Sequence, residues 1–141
     1  MKTIGIIGGF GPEATVQCIL KLVETGRIAN HGTQPQIILR NVSVPRNLEH
    51  DLLVNGNKIN LFIPLLKNAA KELERAGADI IILPCNTLHV HERAIRSSIT
   101  VPFISIVTST VQFLQRRNLS LVGFLVQVIC RNGQDTQLAC L

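Results

Sequence analysis

Ile80-Ile81-Ile82-Leu83-Pro84-Cys85-Asn86-Thr87 decides how the rest of the chain is arranged. Four consecutive apolar residues, three of them β-branched, make a strand with no polar face, the kind buried on both sides of a parallel sheet. Pro84 to Thr87 then fall at its carboxyl end. Upstream, Leu61, Leu65, Leu66, Ala69, Leu73 and Ala76 recur at helical spacing, with Pro64 in the first turn and Gly77 closing the pattern as a C-cap. Further upstream, residues 36–39 (Gln-Ile-Ile-Leu) predict a strand ending at Arg40-Asn41, and residues 3–7 predict another that runs into Gly8-Gly9-Phe10-Gly11. Pro12 opens a helix to about Arg27, where its missing N–H costs nothing. The polar stretch 41–60, with Pro45, Asn47, Asn55 and Gly56, is a long loop with room for a short helix.

Downstream, residues 89–97 predict a helix, 101–106 a fourth strand, 107–117 a helix and 121–129 a fifth strand. Strands alternating with helices of about ten residues or more predict an α/β fold, a doubly wound and mainly parallel sheet. No internal repeat is present, and residues 131–137 are polar and aperiodic.

Composition narrows the function. Of 141 residues, 46% are hydrophobic and 16% charged, which excludes a disordered tail or linker. The formal charge of +5 is scattered, and without Trp or Tyr to stack on bases a nucleic-acid partner is not expected. A small anionic ligand suits the same charge. Residues 80–83 and 121–126, the longest apolar runs, are too short to span a bilayer, and the N-terminus lacks the long apolar core of a secretory signal, so a cytoplasmic protein is expected. Cys18, Cys85, Cys130 and Cys140 form no Cys-x-x-Cys pair, so free thiols are expected, with neither a disulfide framework nor a metal site.

In open parallel sheets ligands gather at the carboxyl ends of strands. Three such ends carry chemistry-bearing residues: 8–11, 40–47 and 85–87. Cys85, between a buried strand and a helix start, sits where helix-end N–H groups stabilise a thiolate, and Asn86 and Thr87 add short-range donors. A buried structural cysteine is the competing reading. Gly9-Phe10-Gly11-Pro12-Glu13-Ala14 also fits the dinucleotide fingerprint Gly-x-Gly-x-x-Ala. The acid expected after the second strand is absent. Arg40 there would favour the 2′-phosphate of NADP, while Phe10 and Pro12 hinder a pyrophosphate, and a plain tight turn is the alternative. His89 and His91, two apart, make a poor metal pair; His31 and His50 fall in loops; Lys71, Glu72, Glu74 and Arg75 form a solvated helix face.

Taken together, Gly8-Gly9-Phe10-Gly11-Pro12-Glu13-Ala14-Thr15 and Pro84-Cys85-Asn86-Thr87-Leu88-His89, the latter preceded by Ala76-Gly77-Ala78-Asp79, resemble the aspartate/glutamate racemase family, and within it the aspartate (amino-acid) racemases. The resemblance runs from the N-terminus to about Leu125, with Pro-Cys-Asn-Thr-x-His its most specific part. It implies a Rossmann-like racemase half-domain of a cofactor-independent enzyme that uses no pyridoxal phosphate. Two pseudo-symmetric halves would each supply one cysteine to a cleft, one thiolate removing the Cα proton of an amino acid and the opposing thiol delivering another. Such help is worth about 10²–10⁴-fold per group. Cys85 would be the first catalytic thiol, Asn86 and Thr87 would bind the substrate carboxylate, and Phe10 would line the pocket. Where the family often has Pro-Asp-Arg, this chain has Pro45-Arg46-Asn47, which offers Arg46, displaced by one position, to a side-chain carboxylate.

The family's second cysteine, in Gly-Cys-Thr, has no counterpart here. The expectation is a truncated or frame-shifted member, with a first α/β domain at 1–100, the start of a second at 101–129 and an aperiodic tail at 130–141. A lone half would expose apolar surface, so a homo-oligomer, a dimer, is expected. The competing readings are a non-catalytic anion- or amino-acid-binding module and an NADP-binding domain.

Overall fold

The structure is a computed structural model that describes residues 2–29, 31–45, 47–48, 59–117 and 123. Its elements run β1 (Thr3–Gly8), α1 (Pro12–Ala29), β2 (Gln36–Asn41), a 3₁₀ turn (Ile59–Leu61), α2 (Phe62–Arg75), β3 (Ile80–Ile82), a second 3₁₀ turn (Thr87–His91), α3 (Glu92–Arg96), β4 (Phe103–Ile104) and α4 (Ile106–Arg116). The four strands form one parallel sheet in the order β2-β1-β3-β4, as the alternating pattern predicts. Of the expected fifth strand at 121–129 only Gly123 is among the described residues, and the tail lies outside them.

The strand ends differ from the sequence expectation for local reasons. β2 runs two residues further, to Asn41, because its backbone pairs with all of β1, Ile7 with Arg40 and Gly8 with Asn41. β4 is only Phe103–Ile104, since Pro102 has no N–H to offer a ladder and Ser105 leaves the strand to cap α4, its hydroxyl accepting from the Thr108 N–H at 3.3 Å. The pairs Ile81 with Phe103 and Ile82 with Ile104 join β4 to β3 within the same sheet. Residues 89–97 divide into the end of a 3₁₀ turn and the single α-helical stretch Glu92–Arg96.

The sheet's two faces are covered unequally. Phe62, Leu66, Ala69, Ala70 and Leu73 form the buried stripe of α2, and they pack with Ile7, Ile81, Leu83, Leu88 and Phe103 into the main core. α2 ends in a Schellman motif: Gly77, at φ +94°, donates to Glu74 and Ala78 donates to Leu73, both at 3.0 Å. Ile6, Ile82 and Ile104 pair across the sheet and, by the pleat, face away from Ile7 and Ile81. On that side α1 buries Thr15 alone and leaves Val16 and Leu20 exposed.

This strand order positions the site. From β1 the chain steps to β2 on one side, then crosses back to β3 on the other. The topological switch therefore lies between β1 and β3, and the loops after both strands flank a crevice at their carboxyl ends.

Candidate active site

The loop after β1 is held from within. The Gly8 carbonyl accepts the Val42 N–H at 3.0 Å, and the Gly11 carbonyl accepts both the N–H and the hydroxyl of Thr15, at 3.0 and 3.1 Å. Gly9 has φ +91°, and a Cβ there would lie 2.0 Å from the Val42 carbonyl oxygen. Its glycine is thus required by the packing of its own chain, which favours the tight-turn reading over the dinucleotide fingerprint. Arg40 is paired with Glu72 and donates to the Asn41 carbonyl at 3.0 Å, so the guanidinium offered to a 2′-phosphate is already engaged. Phe10 turns into the core, 6% exposed, its ring edge-on to Phe62 at 5.9 Å.

Across the switch point, β3 ends in a tight turn around Pro84, with the Cys85 N–H donating to the Leu83 carbonyl at 2.9 Å. The half-buried Cys85 side chain packs against the edge of the core. Burial pushes its thiol above the ordinary range, and the backbone N–H groups of Leu88 and Thr87, directed at the sulfur, pull it down by less. Donors at a helix start were expected from the sequence, and they are there. The net push is upward, because desolvation of the sulfur outweighs two neutral amides.

Asn86 is exposed at the head of the 3₁₀ turn, where its side chain makes no capping bond, and Thr87 is partly exposed beside it. Cys85, Asn86 and Thr87 thus lie together at the carboxyl end of β3. Arg46 lies outside the described residues, as do His50, Cys130 and Cys140. His31 is an exposed loop residue.

The other two histidines are both buried and diverge, as their spacing predicts. His91 bonds through Nε2 to the Ile59 carbonyl at 2.9 Å, whereas His89 bonds to Cys85 and to Ile106. Sequence reasoning gave His89 no role, although its place four residues after Cys85 within one turn is the signal that could have found it. The helix face at 71–75 is also less idle than expected. Glu72 holds Arg40, and Glu74 holds the backbone at Thr100 and Val101. On the thinly covered side of the sheet, a cavity of about 390 Å³ opens between α1 and α4, lined by Cys18, Ile82, Ile104, Ile106 and Phe113 among others. It is apolar and carries no group suited to Cα proton transfer except Cys18, whose thiol burial also pushes up.

Comparison with known proteins agrees with the motif. Residues 7–127 match the family described as Asp/Glu/Hydantoin racemase. A broad-specificity amino-acid racemase of Bacillus subtilis is 29% identical over 117 residues, 77% of this chain and 48% of the relative. Among solved structures, an aspartate racemase homologue from Pyrococcus horikoshii superposes with a TM-score of 0.71 at 31% identity, covering 84% of this chain and 50% of the other. A putative Asp/Glu racemase from Yersinia pestis gives 0.74 at 26% identity, over 83% and 50%. The chain spans about half the length of the relatives it matches.

Proposed function

The chain belongs to the Asp/Glu/hydantoin racemase family, and from that premise we propose that Cys85 is a Cα acid–base group of a racemase acting on amino acids without pyridoxal phosphate. The observation that carries this reading is the position of Cys85, at the carboxyl end of β3 beside the topological switch, with two backbone amides directed at its sulfur. In the forward step the Cα proton passes to the sulfur, and the electron pair left behind is drawn toward the substrate carboxylate. Asn86 and Thr87 are the donors proposed for that carboxylate, where charge builds as the proton leaves. Arg46 is proposed for a side-chain carboxylate, and Phe10 supports the pocket from below.

A thiol pushed upward by burial suits the acid half of a two-base exchange. To act as the base it must first ionise, and the ammonium group of a bound amino acid favours the anion. Inversion needs a second group on the opposite face. Cys85 is proposed to exchange the Cα proton from the one face it serves. Incubating L- and D-aspartate, then neutral amino acids, separately in deuterated water tests this. Deuterium entering one enantiomer with retention supports the reading; rapid inversion of both enantiomers requires another acid–base group.

A second reading, a non-catalytic module that pairs with another copy of itself, is favoured by exposed Phe113, which lines the cavity between α1 and α4, and by the exposed apolar side chains Val16 and Leu20 on α1. Homodimerisation is compatible with both readings. Sedimentation showing a monomer at high concentration contradicts it. A cytoplasmic setting, where free thiols persist, belongs to the same proposal; among the described residues no helix is long and apolar enough to cross a membrane.

A further inference from the structure

His89 is buried, 5% exposed, between the loop that carries Cys85 and the first turn of α4. Its Nε2 lies 3.1 Å from the Ile106 backbone nitrogen, and its Nδ1 lies 2.7 Å from the Cys85 carbonyl oxygen. An amide N–H can only donate, so Nε2 accepts and carries no proton. The single proton of the neutral ring is therefore on Nδ1, where it is given to Cys85. The ring rests against Phe103 at 5.7 Å, so it cannot swing away without opening the core. Ile106 is the first residue of α4, and its N–H is one of the donors a helix leaves unpaired. Ser105 beside it serves the next turn and donates to Glu92, the charged neighbour of His89, which is itself paired with Arg96.

We propose that His89 is a positioning residue for Cys85, a two-ended tie that fixes the backbone from which the thiol projects and couples it to the start of α4. This rests on the proposed role of Cys85, but its test does not. The Cys85 carbonyl has a fixed partner on one side and the sulfur has the Thr87 and Leu88 amides on the other. Release of the carbonyl lets the Cys85–Asn86 peptide rotate and takes the sulfur away from those amides. α4 follows β4 directly, so displacement of its first turn is felt at the thiol through one imidazole.

The test is site-resolved alkylation of the intact chain, with Cys85 and Cys18 followed separately by peptide mass spectrometry across pH 7 to 10. His89→Asn keeps a donor near the Nδ1 position, while His89→Gln keeps an acceptor near Nε2 and loses that donor. Loss of one neutral hydrogen bond corresponds to about a fivefold change in rate at Cys85. The expected result is that change in His89→Gln, its partial rescue in His89→Asn, and an unaltered rate at Cys18. Equal changes at both cysteines indicate general loosening and overturn the proposal, as does an unchanged Cys85. Should the variants fail to fold, nitrogen NMR of the wild-type ring decides: a protonated Nδ1 and a bare Nε2 support the tie, and a proton on Nε2 overturns it. If Cys85 alkylation responds but Cys85→Ser leaves Cα exchange intact, the tie stands and the catalytic reading falls; the reverse pattern removes the tie alone.

Discussion

The Val42 carbonyl oxygen stands 2.0 Å from the point where a side chain on Gly9 would begin. That approach locks the loop after β1 to the loop after β2, two of the three strand ends that surround the crevice. Gly9→Ala must both displace a backbone oxygen and hold an alanine at φ +91°. The expected cost is about 3 kcal/mol or more, enough to leave a domain of this size largely unfolded or much lower melting. At Gly32, where φ is +92° but nothing lies within 4 Å, alanine is expected to cost only about 1 kcal/mol. Thermal melts of the two variants check this contrast, and equal melting temperatures contradict it.

The raised thiol of Cys85 gives a pH dependence with a definite sign. Burial makes the folded chain hold this proton more tightly than the unfolded chain, whose thiol has the ordinary value of 9.0. The stabilisation is fully present below that value and is lost as pH rises through the folded one. Cys18 shifts in the same direction for the same cause. The melting temperature should therefore fall above pH 9, and Cys85→Ala should flatten part of that fall. Alkylation of Cys85 in wild type should be slow at pH 7 and climb later with pH than that of a free cysteine.

Glu74 supplies an acid-sensitive clamp. One of its carboxylate oxygens accepts from the Thr100 N–H and hydroxyl, both at 2.6 Å, and from the Val101 N–H at 3.0 Å. These bonds, the Thr100 hydroxyl foremost, hold the carboxyl below its ordinary 4.5. A lowered folded value gives stability above the unfolded one that disappears as pH falls through the folded one. Glu74→Ala should lower the melting temperature by a few degrees at pH 7, and the gap from wild type should close toward pH 3. A constant gap would mean that the clamp acts by packing rather than charge.

Much of this architecture was legible because it follows from period and punctuation. A run such as Ile80-Ile81-Ile82-Leu83 reads as a strand within a sheet, although only Ile81 and Leu83 are fully buried because the other face is thinly covered, and Gly77 has one way to end the helix before it. Strand lengths were less legible, since β2 extends as far as β1 offers partners while β4 shrinks between Pro102 and Ser105. Cys85, Asn86 and Thr87 could be placed at the carboxyl end of β3 because the motif and the strand end coincide. The upward push on the Cys85 thiol could not be read off, since it depends on how deeply the sulfur sits, a property of packing. The partner of His89, Ile106, is seventeen residues downstream and offers a backbone N–H, which every non-proline residue has, so no side-chain pattern announces it.

The most direct test of the central claim is deuterium incorporation at Cα, followed by NMR for wild type and Cys85→Ser in parallel, with circular dichroism showing that both are folded. Exchange into an acidic amino acid by wild type, rising with pH as the thiol ionises and falling to the uncatalysed rate in Cys85→Ser, is the predicted result. Exchange that persists at the wild-type rate in Cys85→Ser would contradict it.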